Sequence, residues 1–132
     1  MDKSNLSESD ICDKFIRPAM EKAGWNGLDQ IFREYPLRAG RVVVRGNKAY
    51  RDKSTVLRAD YALFYKANIP LAVVEAKDNK HAVGAGMGQA LNYAQLLDVP
   101  FSFSSNGDGF VFRDATLATG VLEQNLTLEE FP

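Results

Sequence analysis

The sequence predicts an α/β domain in which a mixed central β-sheet is flanked by helices. Three observations carry that expectation. The chain opens on an amphipathic helical stretch. It continues in short segments rich in β-branched and aromatic residues. It then runs strand, glycine-led helix, strand, which is the order of a parallel crossover unit. Its 132 residues, 45% hydrophobic and 25% charged, have the balance of a globular domain that buries a core without staples. One domain over residues 1–132 is the simplest division.

The first element is a helix over "LSESDICDKFIRPAMEKAGW". Ser7 suits the N-cap, and Glu8 and Asp10 suit the positive end of the dipole. Ile11, Phe15, Ala19 and Ala23 recur every four residues and mark a buried face. Pro18 removes a backbone donor and is expected to kink the helix; Gly24 stops it. "QIFREYPL" reads as a strand, and a second strand lies around Val42 to Val44, followed by a polar excursion. Leu57–Tyr65 and Leu71–Ala76 are strands joined by the "KANIP" turn. "AVGAGMGQALNYAQLLD" is a helix with Ala90, Leu91, Ala94 and Leu97 on one face. "PFSFSSNGDGFVFRD" is strand, tight turn, strand, because Asn106-Gly107 and Asp108-Gly109 are hairpin chemistry. The tail supplies one or two edge strands. The crossover from Val73–Ala76 through the helix to Phe101–Phe103 is expected to be right-handed.

A formal net charge of -1 excludes a protein that grips nucleic acid by a strongly basic coat, though not one with a local patch, metal ions or partner subunits. Cys12 is the single cysteine, so no internal disulfide forms, and its place on the helix makes it a small core residue. The polar start "MDKSNLSESD" is no apolar leader, and no run approaches the ~18 apolar residues of a membrane span. A cytoplasmic protein without membrane contact is expected. The chain stops at Pro132 with no rounding-off element, as a piece of something longer would.

The stretch "RADYALFYKANIPLAVVEAKDNK", Arg58–Lys80, places charge where strand cores normally exclude it. Alternation sets Arg58, Asp60, Ala62 and Phe64 on one face of the first strand, and Val73, Glu75 and Lys77 on one face of the second. If the strands pair as a hairpin, Asp60 and Glu75 approach each other. Two close carboxylates repel unless a cation sits between them, and oxygen ligands at a partly open site suit Mg²⁺. Such a metal activates water and clamps phosphate oxygens, with Lys77 beside it to orient the water and offset developing charge. Taken alone, the three residues describe a strand-end salt bridge as readily. Their position at the end of a buried strand, "LAVVEAK", is where catalytic groups on open sheets lie. Gln89 and Tyr93 add two polar tips, spaced i, i+4, on an otherwise inward-packing helix.

"RADYAL", "LAVVEAK", "GQALNYA" and "FSFSSNGDGF", with the opening helix that ends in Gly-Trp, resemble the PD-(D/E)xK nuclease superfamily. More narrowly, they look like the N-terminal endonuclease domain of the type I restriction enzyme R subunit. The resemblance covers nearly the whole chain. It implies a restriction-endonuclease-like core and an Mg²⁺-dependent DNA endonuclease, with Mn²⁺ able to substitute. It implies that Asp60 and Glu75 bind the metal, that Lys77 is catalytic, and that Gln89 and Tyr93 support the site and contact DNA. Glu8 matches an acidic residue that faces the metal in related folds. Ala59 stands where the superfamily's named motif has proline, at a position that supplies no ligand. The implied partners are double-stranded DNA and the modification and specificity subunits. ATP would act only through a motor domain absent from this chain, since "GAGMGQA" lacks the lysine of a phosphate-binding loop. A domain of the same fold that binds DNA or docks without catalysis is the alternative, and a small-ligand α/β module is a third. His81 reads as an exposed loop residue. The basic stretch Arg45–Lys53 reads as a DNA-facing or a merely solvated loop, and Trp25 as packing for the first helix.

Overall fold

Ser7 opens the first helix with a reciprocal cap: its hydroxyl accepts from the Asp10 amide, and the Asp10 carboxylate accepts from the Ser7 amide. In this structure, a computed structural model that describes residues 3–38, 42–45, 48–51, 57–116 and 123–132, the helix does not run on as one regular α-helix. α1 (Glu8–Ile11) passes into a π-helical turn, Cys12–Ile16, before α2 (Arg17–Lys22) resumes. Pro18 sits in the first turn of α2. Its nitrogen cannot donate, and the backbone accommodates it by widening just ahead, where the Arg17 amide donates to the Cys12 carbonyl. Widening rotates the buried stripe. Ile11, Cys12, Ile16, Ala19 and Met20 are buried, Phe15 is half-buried, and Ala23 is exposed, so the four-residue recurrence overstated how far one face runs. Gly24, at φ +109°, takes the left-handed conformation that ends the helix.

The main sheet has six strands in the order β1 (Ile31–Arg38), β4 (Leu57–Lys66), β5 (Ile69–Ala76), β6 (Phe101–Ser105), β7 (Phe110–Asp114) and β8 (Glu123–Leu126). β5 and β6 are parallel, and every other pair is antiparallel. The mixed sheet expected from the sequence is therefore what forms, with the tail giving one edge strand. β2 (Val42–Arg45) and β3 (Lys48–Arg51) make a separate two-stranded hairpin. The side chains of that hairpin, and Lys53 altogether, lie outside the described residues, and with them the expected basic DNA-facing loop.

Alternation along the strands gives the sheet two cores. Val74, Tyr61, Leu63 and Phe110 pack with Ile11, Ile16 and Met20 of the N-terminal helix. Val73 and Val111 pack on the opposite face with Met87, Ala90, Tyr93 and Ala94 of α3 (Met87–Leu97). Trp25 closes the first core, its indole nitrogen donating to the Pro132 carbonyl at 2.8 Å. No helix among the described residues is long and apolar enough to cross a membrane.

Candidate functional site

β4 and β5 are held together by the rungs Leu63↔Ala72, Ala62↔Val73 and Tyr61↔Val74. One step further, in the same register, Asp60 falls opposite Glu75, and there the two strands part. β4 continues against β1 through Ala59↔Tyr35 and Arg58↔Pro36. β5 continues against β6 through Glu75↔Ser104 and Ala76↔Ser105, and the Lys77 amide extends the ladder to the Ser105 carbonyl at 2.9 Å. Two amides lose their ladder partners at this fork, and the two carboxylates replace them. The Asp60 amide donates to Glu75 Oε2 at 2.7 Å, and the Ala76 amide donates to Asp60 Oδ2 at 2.7 Å. The acidic residues thus satisfy the backbone where the sheet opens, and the same bonds hold the two carboxyl groups close enough for the charge of Asp60 to act on Glu75.

The electrostatics follow from that geometry. Glu75 is 2% exposed, whereas the Asp60 side chain is 29% exposed. Burial, and after it the charge of Asp60, push the Glu75 carboxyl up to about 8, against a pull downward from Lys77. Lys77 is half-buried just beyond the end of β5. Two carboxyl groups forced together in this way, one of them held toward its neutral form, are the environment that a divalent cation relieves. Among the described residues no three His, Cys, Asp or Glu side chains gather as a ligand set. A metal at the fork would therefore rest on two carboxylates, backbone oxygen and water. That donor set fits Mg²⁺ or Mn²⁺ better than a metal that prefers nitrogen and sulfur.

α3 is anchored over Glu75 by a buried serine. Ser104 Oγ donates to the Val83 carbonyl at 2.7 Å and accepts from the Gly86 amide at 2.9 Å. Gly86 lies so close that a Cβ there would stand 3.0 Å from Ser104 Oγ and 3.4 Å from Glu75 Cβ. The segment after Lys77 is held by the β6–β7 turn. Asn79 donates to the Asn106 carbonyl, and the Asn106 amide group donates to the His81 carbonyl. On α3, Gln89 Nε2 donates to the Tyr93 hydroxyl at 2.6 Å. Tyr93 is buried and Gln89 exposed, and among the described residues neither bonds to Asp60, Glu75 or Lys77. Glu8 is exposed in the first turn of α1 and is joined to the carboxylate pair by no bond among the described residues. His81 is exposed and pairs with Asp78 at 2.9 Å. A cleft of about 660 Å³ opens at the other end of α3, lined by Leu91, Gln95, Asp98 and Arg113 among others, and holds none of the carboxylate site.

Sequence reasoning missed Ser104 and one cation. Arg33 Nη1 lies 3.3 Å from the Asp60 carbonyl and 3.9 Å from Asp60 Oδ1. The signal was present: Arg33 lies two residues from the buried Ile31 on one strand, so it is a charge at a core position, as Asp60 is.

The chain is similar to known proteins over almost all its length. The family profile described as "Type I restriction enzyme R protein N terminus" matches residues 41–119, which include Asp60, Glu75, Lys77, Gln89 and Tyr93. The type I restriction enzyme EcoAI endonuclease subunit of Escherichia coli is 55% identical over 130 residues, 98% of this chain and 16% of that protein. A solved fragment described as an HsdR subunit of a type I restriction enzyme from Vibrio vulnificus YJ016 superposes with a TM-score of 0.79 at 38% identity, over 96% of this chain and 24% of the other. The chain thus spans about a sixth of the curated relative and a quarter of the solved one.

Proposed function

The chain belongs to the family of type I restriction enzyme R protein N termini, and from that premise we propose that it is the metal-dependent DNA endonuclease domain of a restriction subunit. The observation that carries this reading is the fork between β4 and β5. Asp60 and Glu75 each cap the other strand there, with Lys77 two residues beyond Glu75. Strands that part at a pair of acids leave an opening at the strand ends within the sheet, where Asp60 and Lys77 are partly exposed to a polymer backbone.

Asp60 and Glu75 would hold the cation. Bound there, Mg²⁺, or Mn²⁺ in its place, supplies an activated water and a Lewis acid toward phosphate oxygens. Lys77 orients the attacking water and offsets negative charge growing on the phosphoryl oxygens. The backbone bonds at the fork fix both carboxylates before substrate arrives, so little reorganisation accompanies the reaction. Gln89 and Tyr93 stiffen one face of α3, whose start is pinned against Glu75 through Gly86 and Ser104. Glu8 would join the site only with the substrate or the rest of the subunit in place. The substrate is double-stranded DNA. The partners are the modification and specificity subunits, and ATP is used by a motor elsewhere in the full-length protein. Residues 1–132 then form one nuclease domain of a longer chain.

The test uses the full-length subunit assembled with its partners. Lys77→Ala and Asp60→Ala are expected to abolish cleavage of supercoiled plasmid in Mg²⁺ while ATP-driven translocation continues. Calorimetry with Mn²⁺ should show binding that Asp60→Ala removes. Near wild-type cutting by Lys77→Ala would sink the proposal.

A further inference from the structure

We infer that Arg33, on β1, is a phosphate-contacting residue of this site, a second cation on the Asp60 side that complements Lys77 on the Glu75 side. The inference rests on the nuclease reading and adds a residue to it.

Three observations meet at Arg33. The first is placement by the fold. Arg33 pairs with Tyr61 in the β1–β4 register, and its guanidinium lies over the Tyr61 ring at 5.3 Å. That stacking aims Nη1 at Asp60, 3.3 Å from its carbonyl and 3.9 Å from Oδ1. The second is the state of the guanidinium. Its distance to the Asp60 carboxylate is well beyond the roughly 2.7–2.9 Å of a tight charge-assisted bond. Its other ion-pair partner, Glu34, is 3.8 Å away and mostly exposed. Every bond it makes among the described residues uses Nη1. Among the described residues Nε and Nη2 meet no acceptor, and the side chain is 27% exposed. Arginine is steered but not consumed by its neighbours.

The third observation is backbone strain at the same rung. Glu34 takes φ +53°, a left-handed conformation that a non-glycine residue rarely adopts. It falls where the β1–β4 ladder passes Asp60, between the rungs Arg33↔Tyr61 and Tyr35↔Ala59. Strain of this kind persists where surrounding structure enforces it, and it clusters at functional sites. Here it sits next in sequence to Arg33, on the rung that faces Asp60.

The chemistry of the occupant is a phosphodiester. A planar guanidinium that offers the N–H groups of one edge, Nε and Nη2, matches two phosphate oxygens better than an ammonium does. Next to a metal-binding carboxylate it would meet the oxygens on which charge grows as phosphorus is attacked. A residue that merely balanced Asp60 would be a closer, bidentate partner of the carboxylate.

The experiment compares Arg33→Gln and Arg33→Lys with the wild type in the full-length subunit and its partners. It reads plasmid cleavage under single-turnover conditions, Mn²⁺ affinity by calorimetry, and thermal melting. Arg33→Gln is expected to cut about a hundredfold more slowly. Its Mn²⁺ affinity should be unchanged or higher, because a positive neighbour of Asp60 has been removed. Arg33→Lys, which keeps the charge and loses the fork, should recover part of the rate. Cleavage by Arg33→Gln within about threefold of wild type would overturn the inference. So would a loss of Mn²⁺ affinity in step with the rate, which would make Arg33 a positioning residue for Asp60. If Arg33→Gln fails to fold, the lysine variant decides: full wild-type rate there overturns a role for the guanidinium fork. Lys77→Ala is run alongside, and its cutting at wild-type rate would remove the nuclease reading itself rather than the role of Arg33 within it.

Discussion

Asp60 and Glu75 are the residues on which structure and chemistry coincide. Each accepts a backbone amide of the other's strand, so removing either leaves one buried donor unsatisfied, at about 1–3 kcal/mol. Asp60→Ala also removes the charge that, after burial, disfavours ionisation of Glu75, which offsets part of that cost. The variant is therefore expected to fold and to melt slightly lower than wild type. Lys77→Ala removes a half-exposed side chain at a strand end and leaves no core cavity of the costly kind. Its melt should match wild type, and a variant that unfolds would mark Lys77 as structural. The pH dependence has a defined sign. Glu75 titrates near 4.5 when unperturbed and at about 8 in the fold, raised first by burial and then by Asp60. The fold favours its neutral form, so the stabilisation is fully present below about 4.5 and is lost as pH rises toward 8 and beyond. Metal-free protein should thus melt progressively lower across that window, and Glu75→Gln should flatten the profile. Mg²⁺ favours the ionised form, so its stabilising effect should be larger at pH 8 than at pH 5. An identical profile for wild type and Glu75→Gln would contradict this account.

Helix α3 depends on Ser104 for its start. Ser104 is fully buried, donates to the Val83 carbonyl and accepts from the Gly86 amide. Gly86, as N-cap of α3, makes no side-chain capping bond, and β6 supplies the acceptor instead. Ser104→Ala leaves a buried donor and a buried acceptor without partners, and is expected to lower stability by roughly 2–4 kcal/mol. Urea unfolding measures it, and an unchanged midpoint would show that water or a shift of the loop replaces both bonds. The N-terminal helix shows a different principle. Its π-helical turn, Cys12–Ile16, is where the Cys12 carbonyl accepts both the Arg17 amide and, at 3.2 Å, the Tyr61 hydroxyl from β4. Burial pushes the Cys12 thiol up to about 12, so this cysteine is an unreactive packing residue, as its place on the helix suggested.

Across the whole molecule, the site sits at the end of the most protected strand, β5, where it parts from β4. β5 is covered on one face by the N-terminal helix and on the other by α3, and has neighbours on both sides. β1 and β8 are the sheet edges. Hydrogen exchange should therefore be slowest in Ala72–Ala76 and fastest in Glu123–Leu126. Metal should slow the Asp60 and Ala76 amides in particular, since the carboxylates they donate to become fixed. Equal protection of β5 and β8 would mean that the two-core architecture does not order stability in this way.

Periodicity determined much of this protein. Alternating apolar residues specified the strands, the strand–helix–strand order specified a mixed sheet, and charges in core parity singled out Asp60 and Glu75. The family resemblance rested on those residues together with Gln89, Tyr93 and the Asn-Gly turn. These are local patterns, and local backbone geometry writes them directly into sequence. Other features were decided only by the tertiary structure. The stripe on the first helix shifted because the backbone widened into a π turn ahead of Pro18, which side-chain spacing does not encode. Arg33 and Ser104 reach the site from strands distant in sequence, one by lying across Tyr61 and one by pinning Gly86. That Gln89 and Tyr93, spaced i, i+4 on α3, bond to each other is likewise visible only in the folded chain. Strand pairing sets which rung falls where the sheet forks, and pairing is a property of the assembled sheet rather than of any single strand.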